Sequence, residues 1–306
     1  MLNALTIDVE DYFHVAAFAR QIDPVTWDSY PLRVEKNTER ILNLLGEREV
    51  KATFFILGWV AERCPDLVKR IDALGHEIGC HGYAHKAIYD ATYKDFERDL
   101  RRAKSVIEDI TGRALKSYRA PSFSITSRTT WALSVLAEEG FEYDSSIFPI
   151  AHDLYGIRGA PRFPYAKVLD SEHVIKEFPP STVCFWGMNF PIGGGGYLRL
   201  LPYRWTATAI RRLNETEKQP AMIYVHPWEI DPEQPRIAAP WRSRFRHYQN
   251  LRTTERKLER LLDDFLFSPI REVLANRDLI IESDTKTLRA SSFRQTSKQN
   301  VEIRHV

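Results

Sequence analysis

Residues Gly75–Lys86 read GHEIGCHGYAHK. Gly75 stops a helical pattern that opens with Pro65 in its first turn, and His76–Cys80 is a short β-prone run that leads directly into His81. Helix, buried strand, then polar residues at the strand's C-terminal end is the repeating unit of parallel α/β architecture, where ligands collect at that end. His81 and His85 stand at i and i+4, a spacing that points both rings the same way on a helical turn. Neutral imidazole is a common ligand for zinc and its neighbours. The pair by itself fits ordinary core or surface histidines as well. A metal site needs a third donor, preferably an anion, and an open position for water if it is catalytic. Cys80 adjoins His81, but neighbours on a strand face opposite sides, so it reads as a small packing residue.

The same alternation continues on both sides. Leu2–Val9 is an apolar strand, followed by Val34–Arg48 as an amphipathic helix and Lys51–Leu57 as a second strand. Beyond Lys86, Tyr93–Thr111 is a long helix and Leu115–Arg119 a strand running into RAPSF. Thr126–Glu139 is a helix and Phe141–Asp144 a strand. From Ser145 to about Gln219 the pattern loosens into Pro, Gly and aromatic residues. Gly193–Gly196 there lacks the Lys-Ser/Thr of a phosphate-binding loop and reads as a tight loop or lid. Tyr203–Glu217 reads as a helix and Ala221–Val225 as a strand ending in His226. After Pro235 the chain is basic and helical, with Leu251, Leu258, Leu261, Leu262 and Phe265 in one stripe.

A chain of 306 residues with 43% hydrophobic and 27% charged residues is an ordinary globular composition. The net charge of +2 gives no global attraction to nucleic acid or anionic membrane, and the basic C-terminal helix, which also carries Glu and Asp, reads as a solvated face. Three scattered cysteines form neither a disulfide framework nor a zinc ribbon and fit a reducing compartment. Neither a signal peptide nor an apolar run of membrane-spanning length is seen, so a soluble cytoplasmic protein, peripheral to the inner membrane at most, is expected. Aromatic residues, 12% of the chain, suit a sugar cleft or a core.

The polar residues gather at strand ends: Asp8, Glu10 and Asp11 after the first, His81 and His85 after the third, then Arg119, Asp144 and His226. In a closed barrel these ends share one face. The acidic cluster can be a solvated capping turn or a base and metal carboxylate. The set as a whole suits hydrolysis at a metal, with two His and one carboxylate as ligands, a second carboxylate as base and a separate His as acid.

Five motifs in order then make the chain resemble the polysaccharide deacetylase family, also called NodB-homology or carbohydrate esterase family 4. They are Thr6-Ile7-Asp8-Val9-Glu10-Asp11, His81-Gly82-Tyr83-Ala84-His85, Arg119-Ala120-Pro121, the Asp of Tyr143-Asp144-Ser145-Ser146, and Ile223-Tyr224-Val225-His226. The first motif and the long tail most resemble the subgroup associated with bacterial exopolysaccharide gene clusters. The resemblance implies an α/β fold, a distorted (β/α) barrel of about seven parallel strands with a C-terminal helical extension. The expected layout is a deacetylase barrel over 1–235, a helical extension packed on it over 236–288, and a disordered tail over 289–306.

The resemblance implies a divalent metal, zinc first, and removal of N-acetyl groups from an amino-sugar polymer or oligosaccharide, with other exopolysaccharide biosynthesis proteins as partners and no nucleic acid. By motif, Asp8 is the base, Arg119 its orienter, His81 and His85 ligands, His226 the acid and Asp144 its partner or a structural support. The family's first motif places two Asp side by side; here Val9 separates Asp8 from the next acid. Residues i and i+2 of an extended chain share a face, which favours Glu10 as the metal carboxylate, with Asp11 the alternative. Gly82 replaces a hydroxyl residue that usually braces the histidine loop. A small cyclic amide or imide hydrolase on the same barrel, or an inactive carbohydrate-binding scaffold, are the competing readings.

Overall fold

The computed structural model describes residues 1–152, 155–275, 277–283 and 286–289. The tail expected over 289–306 therefore lies outside the described residues, apart from the backbone of Arg289. Its strands are β1 (Leu2–Val9), β2 (Thr53–Ile56), β3 (Glu77–Cys80), β4 (Ser117–Tyr118), β5 (Tyr143–Asp144), β6 (Tyr165–Val168), β7 (Val174–Glu177), β8 (Thr182–Phe185), β9 (Met188–Pro191), β10 (Met222–Val225), β11 (Leu266–Ser268), β12 (Ile280–Ser283) and β13 (Lys286–Arg289). The helices are α1 (Val34–Gly46), α2 (Gly58–Arg63), α3 (Pro65–Ala73), α4 (Tyr93–Thr111), α5 (Ala132–Glu138), α6 (Gly195–Leu200), α7 (Tyr203–Arg211), α8 (Trp241–Tyr248), α9 (Leu251–Asp264) and α10 (Ile270–Leu274).

Seven strands run parallel in the order β10-β1-β2-β3-β4-β5-β7. β1 lies between β10 and β2, and every residue from Asn3 to Val9 is buried, as a strand covered on both faces requires. Outside the sheet, α4 is fixed at both ends. The Thr92 hydroxyl accepts from the Asp95 N–H, and Gly112 closes the helix with φ 65°. Its buried side, Phe96, Leu100, Ala103 and Ile107, repeats at helical spacing.

The barrel is distorted where β7 fails to meet β10. Pro179 and Pro180 follow β7 and cannot donate to a ladder. The gap is spanned by irregular chain: the Met222 N–H donates to Ser181 Oγ at 2.7 Å and the Tyr224 N–H to the Gly193 carbonyl at 2.6 Å. Gly194, with φ 145°, sits so close that a Cβ there would lie 1.8 Å from the Tyr224 carbonyl oxygen. Gly193 and Gly194 thus serve close backbone approach at the barrel seam.

Several elements differ from expectation. The loosely patterned stretch 145–219 contains two antiparallel hairpins, β6–β7 and β8–β9. The helix expected over Thr126–Glu139 begins only at Ala132, because hydroxyls compete for its first turn. Thr129 Oγ1 accepts from the Thr126 N–H and donates to the Ser124 carbonyl. The C-terminal stretch expected to be helical holds α8–α10 but also adds β11 beside β1 and β12 beside β6. α9 buries Leu251, Leu258, Leu261 and Leu262 and packs on α6 and the turn Pro227–Ile230.

Candidate active site

Parallel register brings the ends of β1, β2, β3, β4, β5 and β10 to one face. At the end of β1 the Glu10 N–H turns back onto the Asp8 carbonyl at 3.0 Å, and Asp8 and Glu10 line the same cleft, both about 2% exposed. Past β3, the loop from His81 to His85 is not helical. Gly82 has φ 74° and His85 φ 48°, so the four-residue spacing is delivered by a sharp loop rather than a helical turn. The loop is braced by α4: Asp99 accepts from the Tyr83 N–H at 2.7 Å and the Ala84 N–H at 3.2 Å.

Glu10, His81 and His85 each offer a ligand atom, and the three atoms lie within 4.8 Å of one another. His81 Nδ1 is 2.8 Å from the Arg119 carbonyl, an acceptor only, so Nδ1 carries the proton and Nε2 keeps its lone pair. Burial lowers the His81 pKa to about 4, which keeps the ring neutral, as a ligand must be. Glu10 Oε1 accepts from the Trp228 indole N–H at 3.0 Å. Its buried Oε2 lies 2.7 Å from His85 Nε2, yet the ring is not aimed for a hydrogen bond, so Oε2 is left without a directed donor. An anionic oxygen orphaned beside two imidazoles fits a divalent cation.

Asp11 does something else. Its Oδ2 accepts from the N–H groups of Arg33 and Val34, at 2.6 and 2.8 Å, and Oδ1 from the Tyr12 N–H. It caps α1 and faces away from the histidine pair.

Asp8 Oδ1 receives a hydrogen bond from Arg119 Nη1 at 2.6 Å, while Oδ2 lies 3.7 Å from His226 Nε2. Arg119 is fully buried and its fork is spent on Thr6, Asp8 and Ser145. His226, at the end of β10, is 3.7 Å from both Asp8 and Glu10. Burial alone would lower its pKa, but Glu229, Glu10 and Asp8 together push it up to about 9.

The expectation of Asp144 as the partner of His226 is corrected by this geometry. Asp144 is turned toward Ser146 and Glu177 beneath the cleft, and Glu229 takes the place beside His226, with Oε2 3.0 Å from Nδ1. Asp144 remains a buried support: Ser146, which donates to it, accepts from the Ala120 N–H next to Arg119.

Glu229 and Arg199 are the site residues that pattern reading missed. Glu229 stands three residues after His226, where it also accepts from the His226 N–H, a capping box visible in His-Pro-Trp-Glu. Arg199 is 3% exposed and donates to Glu229 Oε1 at 2.7 Å and to the His247 carbonyl of α8. No local signal marks it, since α6 and α8 are distant in sequence. The cleft has a volume of about 440 Å³, with Tyr155, Tyr197, Tyr224 and Trp228 among its walls.

Fold and site together define a (β/α) barrel with a candidate mononuclear metal centre at the strand ends. Residues 24–143 match the family model described as Polysaccharide deacetylase, and residues 145–275 match a Domain of unknown function (DUF3473). The chain thus carries a polysaccharide deacetylase domain followed by a DUF3473 domain. His81, His85 and Arg119 fall in the first matched range and Arg199, His226 and Glu229 in the second, while Asp8 and Glu10 precede both.

A peptidoglycan deacetylase of Helicobacter pylori is 34% identical over 113 residues, 37% of this chain and 38% of that protein. A peptidoglycan-N-acetylglucosamine deacetylase of Bacillus cereus is 32% identical over 125 residues, 40% of this chain and 44% of that protein. The chain thus spans less than half the length of these curated relatives. A crystal structure of a provisionally assigned polysaccharide deacetylase from Mycobacterium smegmatis shares the fold, with TM-score 0.59 and 20% identity over 99% of this chain and 92% of that one. Among the described residues, no helix is long and apolar enough to cross a membrane.

Proposed function

We propose that this chain is a metal-dependent deacetylase that removes N-acetyl groups from the amino sugars of an exopolysaccharide or its precursor. The observation that carries the reading is the convergence of Glu10, His81 and His85 next to two further ionisable pairs, Asp8–Arg119 and His226–Glu229, in one cleft. Glu10, His81 and His85 are the proposed ligands. A bound divalent ion, zinc first by its His/carboxylate set, supplies a Lewis acid and lowers the pKa of water toward about 7.

Asp8 is the proposed base. One oxygen is pinned by Arg119, so the other is presented to the cleft in a fixed direction to take a proton from the attacking water. His226 is the proposed acid. Glu229 holds Nδ1, which leaves Nε2 facing the site to hand a proton to the departing sugar amine. The aromatic walls suit the apolar faces of sugar rings. Relatives described as acting on peptidoglycan support an N-acetylated glycan as the substrate class.

The test is acetate release from N-acetylglucosamine oligomers, measured with the protein's metal content before and after chelation. Near-stoichiometric zinc and chelator-sensitive release are expected. No release after divalent ions are restored would overturn the reading, as would a His81→Ala variant with full activity and full metal content.

A further inference from the structure

The β8–β9 hairpin carries an apolar surface that the cleft does not use. The cross-strand pairs Val183↔Phe190 and Phe185↔Met188 put these side chains on one face, with Val183 buried at its inner end and Phe185 half-buried. At the turn, Trp186 is 93% exposed, and Met188 and Phe190 are exposed as well. The face continues onto α7, where the Phe185 ring lies 5.8 Å from that of Trp205, itself exposed. Along α7 and its continuation, Arg204, Trp205, Thr208, Arg211 and Arg212 are exposed, and their spacing keeps them on one side. The Arg212 guanidinium sits 5.1 Å from the Phe185 ring centre. Arg204 has no ion-pair partner among the described residues, while Arg211 pairs with Asp264 and Arg212 with Glu217, each at 3.5 Å near the surface.

Exposed aromatic residues joined to a row of arginines are a specific combination. Trp and Phe settle at the boundary between headgroups and acyl chains, and the guanidinium fork matches phosphate. We propose that the β8–β9 hairpin and α7 form a docking surface for an anionic lipid bilayer. The hairpin tip enters the headgroup layer while Arg204, Arg211 and Arg212 meet lipid phosphates. A neutral sugar strand would use the rings and leave the arginine row without a role. The proposal is independent of the deacetylase reading.

The test is co-sedimentation of the full chain with phosphatidylcholine vesicles that contain phosphatidylglycerol. Binding is expected at low salt and should weaken as salt is added. Trp186→Asn with Met188→Ser should remove most of it, and Arg204→Glu should lower it by roughly fivefold. Asn accepts the positive φ of position 186, so the turn is kept. Acetate release from soluble oligomers should be unchanged in all three substitutions. A wild-type chain that stays in the supernatant overturns the proposal, as does a double variant that binds as wild type does. Retention on N-acetylglucosamine oligomers, or a dimer, that the double variant loses, without vesicle binding, would assign the surface to sugar or to a second copy instead.

Discussion

Three carboxylates within four residues have three separate duties in this structure: Asp8 meets Arg119, Glu10 meets the histidine pair, and Asp11 caps α1. Substitutions should separate them. Glu10→Gln should abolish metal retention, measured by elemental analysis, and acetate release with it. Asp11→Asn should keep the metal and cost about 1–2 kcal/mol of stability in a denaturant titration. At the proposed acid, His226→Ala should lower kcat by roughly a hundredfold or more. Glu229→Gln should lower kcat with little change in KM, because Glu229 is fully buried and acts through His226.

At the scale of elements, the parallel core was legible because its signals are local. β1 and α4 fall on the residues that periodicity predicts, and Gly75 and Gly112 end their helices as expected. The hairpins at 165–191 were not, since short strands between Pro and Gly carry no helical or long alternating pattern. The residues that meet in the cleft, Asp8, Glu10, His81 and His85, were legible as motifs. The Glu229–Arg199 pair was not, because only tertiary packing brings α6 to the turn after β10.

Two buried histidines within these elements set an acid limit on stability. His76 accepts from the Ala52 N–H between β2 and β3, and burial lowers its pKa to about 4. His247, stacked on Trp228, is lowered by burial to about 3. Both folded values lie below the unfolded value, so the unfolded chain takes up protons first. The stability these neutral rings allow is complete above about pH 6.5 and falls as pH drops toward those folded values. For His76 the loss is about 1–2 kcal/mol between about pH 7 and about pH 5. Denaturation midpoints at the two pH values test this, and His76→Gln should reduce the difference by about 1–2 kcal/mol, leaving the His247 share.

Across the whole molecule, the composition change near Pro235 is not a break in packing. β11 pairs with β1, the Ile270 N–H donates to Thr53 on β2, and Lys257 of α9 donates to the carbonyls that end α6. We expect a chain ending at Pro235 to be insoluble, or to refold without cooperative unfolding by circular dichroism, since it loses these ties and exposes α1 and α6.

Trp228 gives the site an optical signal of its own. Its indole N–H is bonded to Glu10 and its ring is stacked on both His226 and His247. An ion that draws electron density from Glu10 would weaken that hydrogen bond and change the polarity felt by the ring. Metal titration should therefore shift the emission of the apoprotein before any substrate is added, and Trp228→Phe should erase the shift. Occupancy of the centre can then be followed by light alone, separately from turnover.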